Sequence, residues 1–185
     1  MGKRRGAFDV IVVGAGAAGV GVATALRHAG IDDLLILDRH GVGSSFDRWP
    51  KEMRFITPSF ATNSIGMLDI NAVAIGTSPA FSLQVEHPTG KQYAAFLRNV
   101  AKHFELPVQV GVDVRSLEPD DDGFSLQTSE GPFRAKFVVW AAGEYQYPKL
   151  LPFPGAQLCQ NNATLESWSR LPGKEFVVIG GSESA

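Results

Sequence analysis

The chain reads as an α/β domain: a parallel sheet with helices on one face and a three-stranded antiparallel meander on the other. Three observations predict this. A β-branched run, Phe8–Val13, enters a glycine-rich turn and an alanine-rich helix. A second apolar run, Leu34–Leu37, follows within the span of one βαβ unit, about 30 residues. Three further short runs then come in quick succession, separated by turn residues.

Taken in order, Phe8-Asp9-Val10-Ile11-Val12-Val13 is short, apolar and bounded by Gly14, which suits a parallel strand covered on both faces. Gly16 to Ala29 then carries Ala17, Ala18, Ala23, Ala25 and Leu26, good helix formers, and Gly30 supplies the C-terminal stop. Leu34–Leu37 is the second strand and ends at Asp38. Residues 41–86 show no clean period and read as loops with one short helix, a length of irregular chain that usually carries function. Thr89-Gly-Lys-Gln92 is a capping box. After it, Tyr93, Phe96, Leu97, Val100, Ala101 and Phe104 fall on one helical face, and Pro107 marks the end. Val112–Leu117, Phe124–Thr128 and Phe133–Val139 form the meander, turned by Pro119–Gly123 and Ser129–Pro132. A proline-rich crossing follows. Finally Lys174–Ile179 repeats the look of the first strand and runs into Gly180-Gly181-Ser182.

Composition excludes several classes of protein. Charged residues are 19% and hydrophobic ones 44%, too apolar for a disordered chain. A net charge of −2 offers no basic field for nucleic acid or an anionic membrane. No glycine-poor apolar run reaches the roughly 20 residues needed to span a bilayer, and the basic start Met1–Arg5 is not followed by a signal-like apolar stretch. A single cysteine, Cys159, rules out an internal disulfide or dithiol pair within these residues and suits a cytoplasmic setting. As a lone thiol with no nearby histidine in sequence it is expected to be partly buried and inert. The four histidines lack metal-ligand spacing. The acidic triplet Asp120–Asp122 lies at a hairpin tip, where solvated charge is the expected reading, so no metal site is assigned.

The chemistry sits in Gly14-Ala15-Gly16-Ala17-Ala18-Gly19, a G-x-G-x-x-G directly between strand and helix. The first glycine permits the tight turn, the second lets the backbone approach a diphosphate, and the third lets helix and strand pack closely. Amides at the helix N-terminus favour negative charge. Asp38, ending the second strand at the usual interval, is placed to accept ribose hydroxyls. Strand, turn, helix and acid together predict dinucleotide binding.

These markers, with the meander, Val138-Val-Trp-Ala-Ala-Gly143, Pro148, Pro154-Gly155 and Gly180–Ala185, resemble the pyridine-nucleotide flavoprotein oxidoreductases. In those proteins a Rossmann-like FAD-binding domain is interrupted by an NAD(P)H domain. The flavin-monooxygenase-like and bacillithiol-disulfide-reductase-like branches are the most similar. The resemblance implies FAD and NAD(P)H as cofactors, with residues 1–172 as FAD-binding domain and 173–185 as the start of the NAD(P)H domain. It further implies a chain truncated there, expected to bind flavin weakly by itself. Gly14, Gly16 and Gly19 would hold the FAD diphosphate and Asp38, usually Glu in the family, the ribose. Arg39 would lie over the adenine or pair with phosphate, or be a solvated surface residue. Val114 matches a backbone contact to the adenine edge. Ser45 lies on the loop expected along the flavin. Trp49 on that loop would pack on the isoalloxazine or fill the loop's own core. Ala142, a threonine in most relatives, and Gly143 would pass close to the flavin. Gly180, Gly181 and Ser182 would face the NAD(P)H diphosphate.

Two departures bear on the reaction. After Phe153-Pro-Gly155, Cys159 stands where Baeyer–Villiger monooxygenases carry histidine, and Ala163 where they carry an aromatic. The expected activity is therefore an NAD(P)H oxidoreductase passing electrons through FAD to a disulfide, dioxygen or another small acceptor. No acid or base is assigned. The expected partners are a small-molecule substrate or acceptor, with no nucleic acid and no membrane, and a homodimer left open. A non-catalytic NAD- or FAD-binding module, acting as a sensor, is the alternative.

Overall fold

The computed structural model describes residues 6–60, 68–144, 147–150 and 152–181. Its strands are β1 (Ala7–Val13), β2 (Leu34–Asp38), β3 (Val108–Val110), β4 (Val114–Asp120), β5 (Gly123–Thr128) and β6 (Gly131–Trp140), in the order β3-β2-β1-β6-β5-β4. The helices are α1 (Ala17–His28), α2 (Ser44–Asp47), α3 (Pro79–Leu83) and α4 (Gly90–His103). β1 pairs in parallel with β2 and β6, and β2 with β3, while β4–β5 and β5–β6 are antiparallel.

The continuous apolar runs of β1 and β2 are explained by what covers each face. Successive side chains in a strand point to opposite sides. Val10, Val12, Leu34 and Ile36 pack with Val20 and Ala23 of α1 and with Phe96, Leu97 and Val100 of α4. Their neighbours Ile11, Val13, Leu35 and Leu37 pack with Leu126, Phe133 and Ala135 of the meander. Each fully buried aliphatic of this kind stabilises the fold by roughly 1.5–3 kcal/mol. The meander thus covers the sheet face opposite the helices, as expected. It does so through one long strand: β6 pairs with β5 over 131–135 and with β1 over Arg134–Trp140.

Local chemistry explains the helix ends. Gly30, at φ 80°, lets its own amide reach Arg27 O and that of Ile31 reach Leu26 O, closing α1 with two bonds that a straight continuation would leave unmade. Thr89 and Gln92 form the expected reciprocal capping box on α4.

The structure corrects three expectations. Val112 is not in a strand: its amide donates to Asp38 O at 3.0 Å and its side chain is buried, so β4 begins only at Val114. The long irregular stretch holds two short helices rather than one, the second capped by Ser78 with Pro79 at its first position. Lys174–Ile179 is not a strand. Phe176, Val177, Val178 and Ile179 are 57%, 90%, 66% and 63% exposed, and among the described residues no chain pairs with them. A strand exists only through its ladder, so apolar β-branched composition alone does not make one. Among the described residues no helix is long and apolar enough to cross a membrane.

Candidate nucleotide-binding site

The glycine turn leaves the C-terminal end of β1, which is flanked by β2 and β6. Gly14 donates its amide to Leu37 O of β2 at 2.8 Å, and Ala141, just past β6, donates to Val13 O at 2.8 Å. Gly43 ties the following loop down by donating to Ala15 O at 3.0 Å. The three glycines have different reasons to be there. Gly14 has φ 107°, and a Cβ on it would meet Ala141 O at 2.3 Å. A Cβ on Gly19 would meet Gly14 O at 1.9 Å, so helix and turn touch backbone to backbone. A Cβ on Gly16 would meet nothing within 4 Å. Nothing inside this fold requires glycine at position 16, and the space beside it is open. Among the described residues no side chain caps α1, whose first turn carries no acidic residue. Ala17, Ala18 and Gly19 therefore present the positive end of a twelve-residue helix beside that open space. A diphosphate fits this arrangement.

Asp38 faces the turn. Its Oδ2 accepts from the Ala15 amide at 2.8 Å, and its Oδ1 accepts from the amides of His40 at 2.7 Å and Gly41 at 2.6 Å. The carboxylate joins the glycine turn to the loop after β2. Two carboxylate oxygens offer about four acceptor positions, and three are taken. A ribose hydroxyl would find the fourth, on Oδ2. Arg39 extends beyond, with Nη1 donating to the Tyr147 hydroxyl at 3.2 Å and lying 3.6 Å from Asp113 Oδ1. The Tyr147 hydroxyl, and then the negative charge of Asp113, push the guanidinium pKa upward. Val114 opens β4 next to Asp113, half-buried against the meander core. Sequence reasoning missed Asp113 and Tyr147, since no spacing links residue 39 to residue 147.

The loop expected along a flavin is built around aromatic rings. Ser45 is exposed on α2. Trp49 lies 5.2 Å from both Phe46 and Phe55 between ring centroids; Phe46 meets Tyr93 edge-on and Phe55 meets it at a tilt. Trp49 therefore helps fill the loop's own core. Its outer side lines a shallow cleft of about 180 Å³ with Pro50, Lys51, Thr89, Gly90 and Lys91. That is smaller than the roughly 300–1,000 Å³ of ordinary ligand pockets. Behind it is a buried polar network: Tyr93 donates to Asn71 O at 2.7 Å, Asn71 to Ser59 Oγ at 2.8 Å, and Ser78 to Asp69 Oδ2 at 2.6 Å. Burial, and secondarily the charge of Asp69, push the Tyr93 pKa up to about 12, so its hydroxyl stays a donor. The network orders the long loop, and no sequence motif announced it.

Ala142 and Gly143, the latter at φ 78°, follow Ala141, whose carbonyl lies against Gly14. Gly180 and Gly181 are exposed and no helix follows them among the described residues; Ser182 lies outside the described residues. Cys159 is exposed rather than partly buried, because it directly follows a short 3₁₀ turn, Ala156–Leu158, on the surface. The same region is held to the loop by Glu52, whose carboxylate accepts from the Ser167 hydroxyl and from the amides of Trp168 at 3.0 Å and Ser169 at 3.3 Å. The Ser167 hydrogen bond above all, reinforced by those amides, lowers the Glu52 pKa to about 2. Asp120 pairs with Arg134 at 2.8 Å, and among the described residues no group of three or more potential ligands gathers to hold a metal.

This geometry defines a class: an α/β domain with a glycine turn between strand and helix at the sheet's C-terminal edge. A family model described as pyridine nucleotide-disulphide oxidoreductase matches residues 11–185, and the chain belongs to that family. It is 28% identical over 145 residues to an uncharacterized CzcO-like oxidoreductase of Geobacillus kaustophilus, covering 78% of this chain and 38% of that one. It is 26% identical over 187 residues to the uncharacterized oxidoreductase CzcO of Bacillus subtilis, covering 96% and 49%. Among solved structures, the bacillithiol disulfide reductase Bdr of Staphylococcus aureus superposes with a TM-score of 0.68 at 22% identity, covering 83% of this chain and 43% of that one. The chain thus spans half or less of the length of these relatives.

Proposed function

We propose that these residues form the flavin-binding part of an oxidoreductase that takes hydride from NADH or NADPH and passes electrons to a small acceptor. The observation that carries this reading is the empty space beside Gly16 at the uncapped start of α1, with Asp38 anchored next to it. FAD fits: α1 and Gly14–Gly19 would hold its diphosphate, and Asp38 Oδ2 its ribose. Bound FAD would supply an isoalloxazine that accepts a hydride and releases the electrons to the acceptor. The protein's own part is to fix the diphosphate, orient the ring along the Ser45–Trp49 loop and the Ala142–Gly143 crossing, and keep water from the reduced flavin. Residues 173–185 would begin the NAD(P)H-binding domain, with Gly180, Gly181 and Ser182 toward its diphosphate. The span contains one cysteine, so a disulfide acceptor would be exogenous to it.

The test is a visible spectrum of the protein, purified and then mixed anaerobically with NADPH or NADH. A yellow protein that bleaches supports the reading. A colourless protein that binds NAD(H) stoichiometrically, with no absorbance to bleach, overturns it in favour of a non-catalytic sensor.

A further inference from the structure

The loop that leaves β2 is held at its two ends by different partners. At the near end Asp38 Oδ1 accepts from the His40 and Gly41 amides, and Gly43 donates to Ala15 O, so this end hangs on the glycine turn. The far end is held from α4, by Arg98. Its Nη1 donates to Asp47 Oδ2 at 2.8 Å and to Val42 O at 3.2 Å, and its Nη2 donates to Asp47 Oδ1 at 3.4 Å. One guanidinium therefore grips the chain just before the N-cap of α2 and again at the last residue of that helix. Gly41 and Gly43, at φ 138° and 73°, leave the stretch little stiffness of its own. Phe46 packs on Trp49, Phe55 and Tyr93, which presses the loop down, but apolar contact sets no direction. A planar fork on a carboxylate does. Arg98 and Asp47 are 46% and 39% exposed, where an ion pair adds little to stability, so their contribution is to orientation.

We infer that Arg98, through Asp47, is a positioning residue for the flavin end of the site. It orients the Ser45–Trp49 loop along which the isoalloxazine would lie, and it leaves the diphosphate and ribose end untouched. This rests on the flavin reading proposed above and adds a residue outside the site that governs one half of it. The division follows from the bonding. Without the arginine, the near end keeps its bonds to Asp38 and Ala15, while Asp47 loses its partner. A lysine at 98 keeps the charge but cannot offer Asp47 a parallel fork and reach Val42 O as well.

The experiment is a calorimetric titration of the full chain with FAD and with ADP, which lacks the flavin, together with visible circular dichroism of the bound flavin. The proteins are wild type, Arg98→Gln, Arg98→Lys, Asp47→Asn and the Arg98→Gln/Asp47→Asn double variant. Arg98→Gln and Asp47→Asn are each expected to weaken FAD about tenfold and to change the flavin's dichroism, with ADP affinity held within about twofold. The double variant should be no weaker than either single one, since both remove the same interaction. Arg98→Lys should recover only part of the loss. A merely structural arginine would shift melting temperature without separating FAD from ADP. Should Arg98→Gln fail to fold, Asp47→Asn carries the same comparison. If wild type binds FAD and the variants bind it equally well, or lose FAD and ADP in parallel, this inference is overturned while the flavin reading stands. If wild type binds ADP but no FAD, the flavin reading falls, and this inference with it.

Discussion

Residues 10–14 and 176–180 are near-copies, each four apolar residues and a glycine, Val-Ile-Val-Val-Gly and Phe-Val-Val-Ile-Gly. The first is the central strand of a six-stranded sheet, with Ile11 and Val12 fully buried. The second is an exposed extended segment. The difference is in what surrounds them. β1 has a ladder on each side, α1 and α4 on one face and the meander on the other, and its glycine is clamped by Leu37 and Ala141. Among the described residues nothing provides Lys174–Ile179 with either. A glycine loop takes a fixed place in a fold only when buried strands set the direction of the helix that follows it.

This contrast can be broken at the glycines first. Gly19→Ala places a Cβ 1.9 Å from Gly14 O, and main chain cannot yield there, so a loss above about 4 kcal/mol is expected in urea unfolding. Gly181→Ala meets nothing and should change stability by less than about 0.5 kcal/mol. Equal effects would mean that the second loop is as ordered as the first. The strands come next. Ile11→Ala is expected to cost about 3 kcal/mol and the matching Val177→Ala under about 0.5 kcal/mol, by the same measurement.

Asp38→Ala leaves three backbone amides without their carboxylate and should cost about 2 kcal/mol, with loosened protection of the Ala15, His40 and Gly41 amides in hydrogen exchange. Asp38→Asn, which keeps an acceptor, should restore part of it. The smallest effect concerns Glu52, whose carboxylate ties residues 167–169 to the loop. The Glu52 pKa is lowered from 4.5 to about 2 in the fold. A lowered carboxylate pKa stabilises the folded tie above the unfolded value, and that contribution fades as pH falls from about 4.5 through about 2. Pepsin cleavage near Trp168, normalised at each pH to an unstructured peptide, should therefore rise as pH falls through this window in wild type and be already high, and flat with pH, in Glu52→Gln.

What was legible in the sequence was local. The β1–α1–β2 unit, the Gly30 stop, the Thr89–Gln92 box and the meander turns each declare themselves within a few residues. β3 was not legible, because Val108–Val110 is too short to show a period, and its strand character comes from pairing with Ile36–Asp38. The aromatic packing of Trp49, the Asp69–Asn71–Tyr93 network, the Glu52 tie and the Arg39–Tyr147 contact were equally silent. Each joins residues far apart in the chain, and such contacts depend on the fold rather than on spacing. The Lys174–Ile179 expectation failed for the converse reason: its composition is that of a strand, but among the described residues no strand pairs with it. At the site, the glycines and Asp38 stand where their spacing placed them, while the shared bonding of Asp38 to three amides could be seen only in three dimensions.

The most direct measurement uses Gly16, a glycine of the first turn that the fold itself does not need. Gly16 has φ −79° and ψ −167°, extended values that valine adopts readily, and open space where a side chain would go. Gly16→Val should unfold within about 0.5 kcal/mol of wild type yet bind FAD about a hundredfold more weakly, as the new side chain occupies the diphosphate's place. A folded Gly16→Val protein that binds FAD as tightly as wild type would contradict the account.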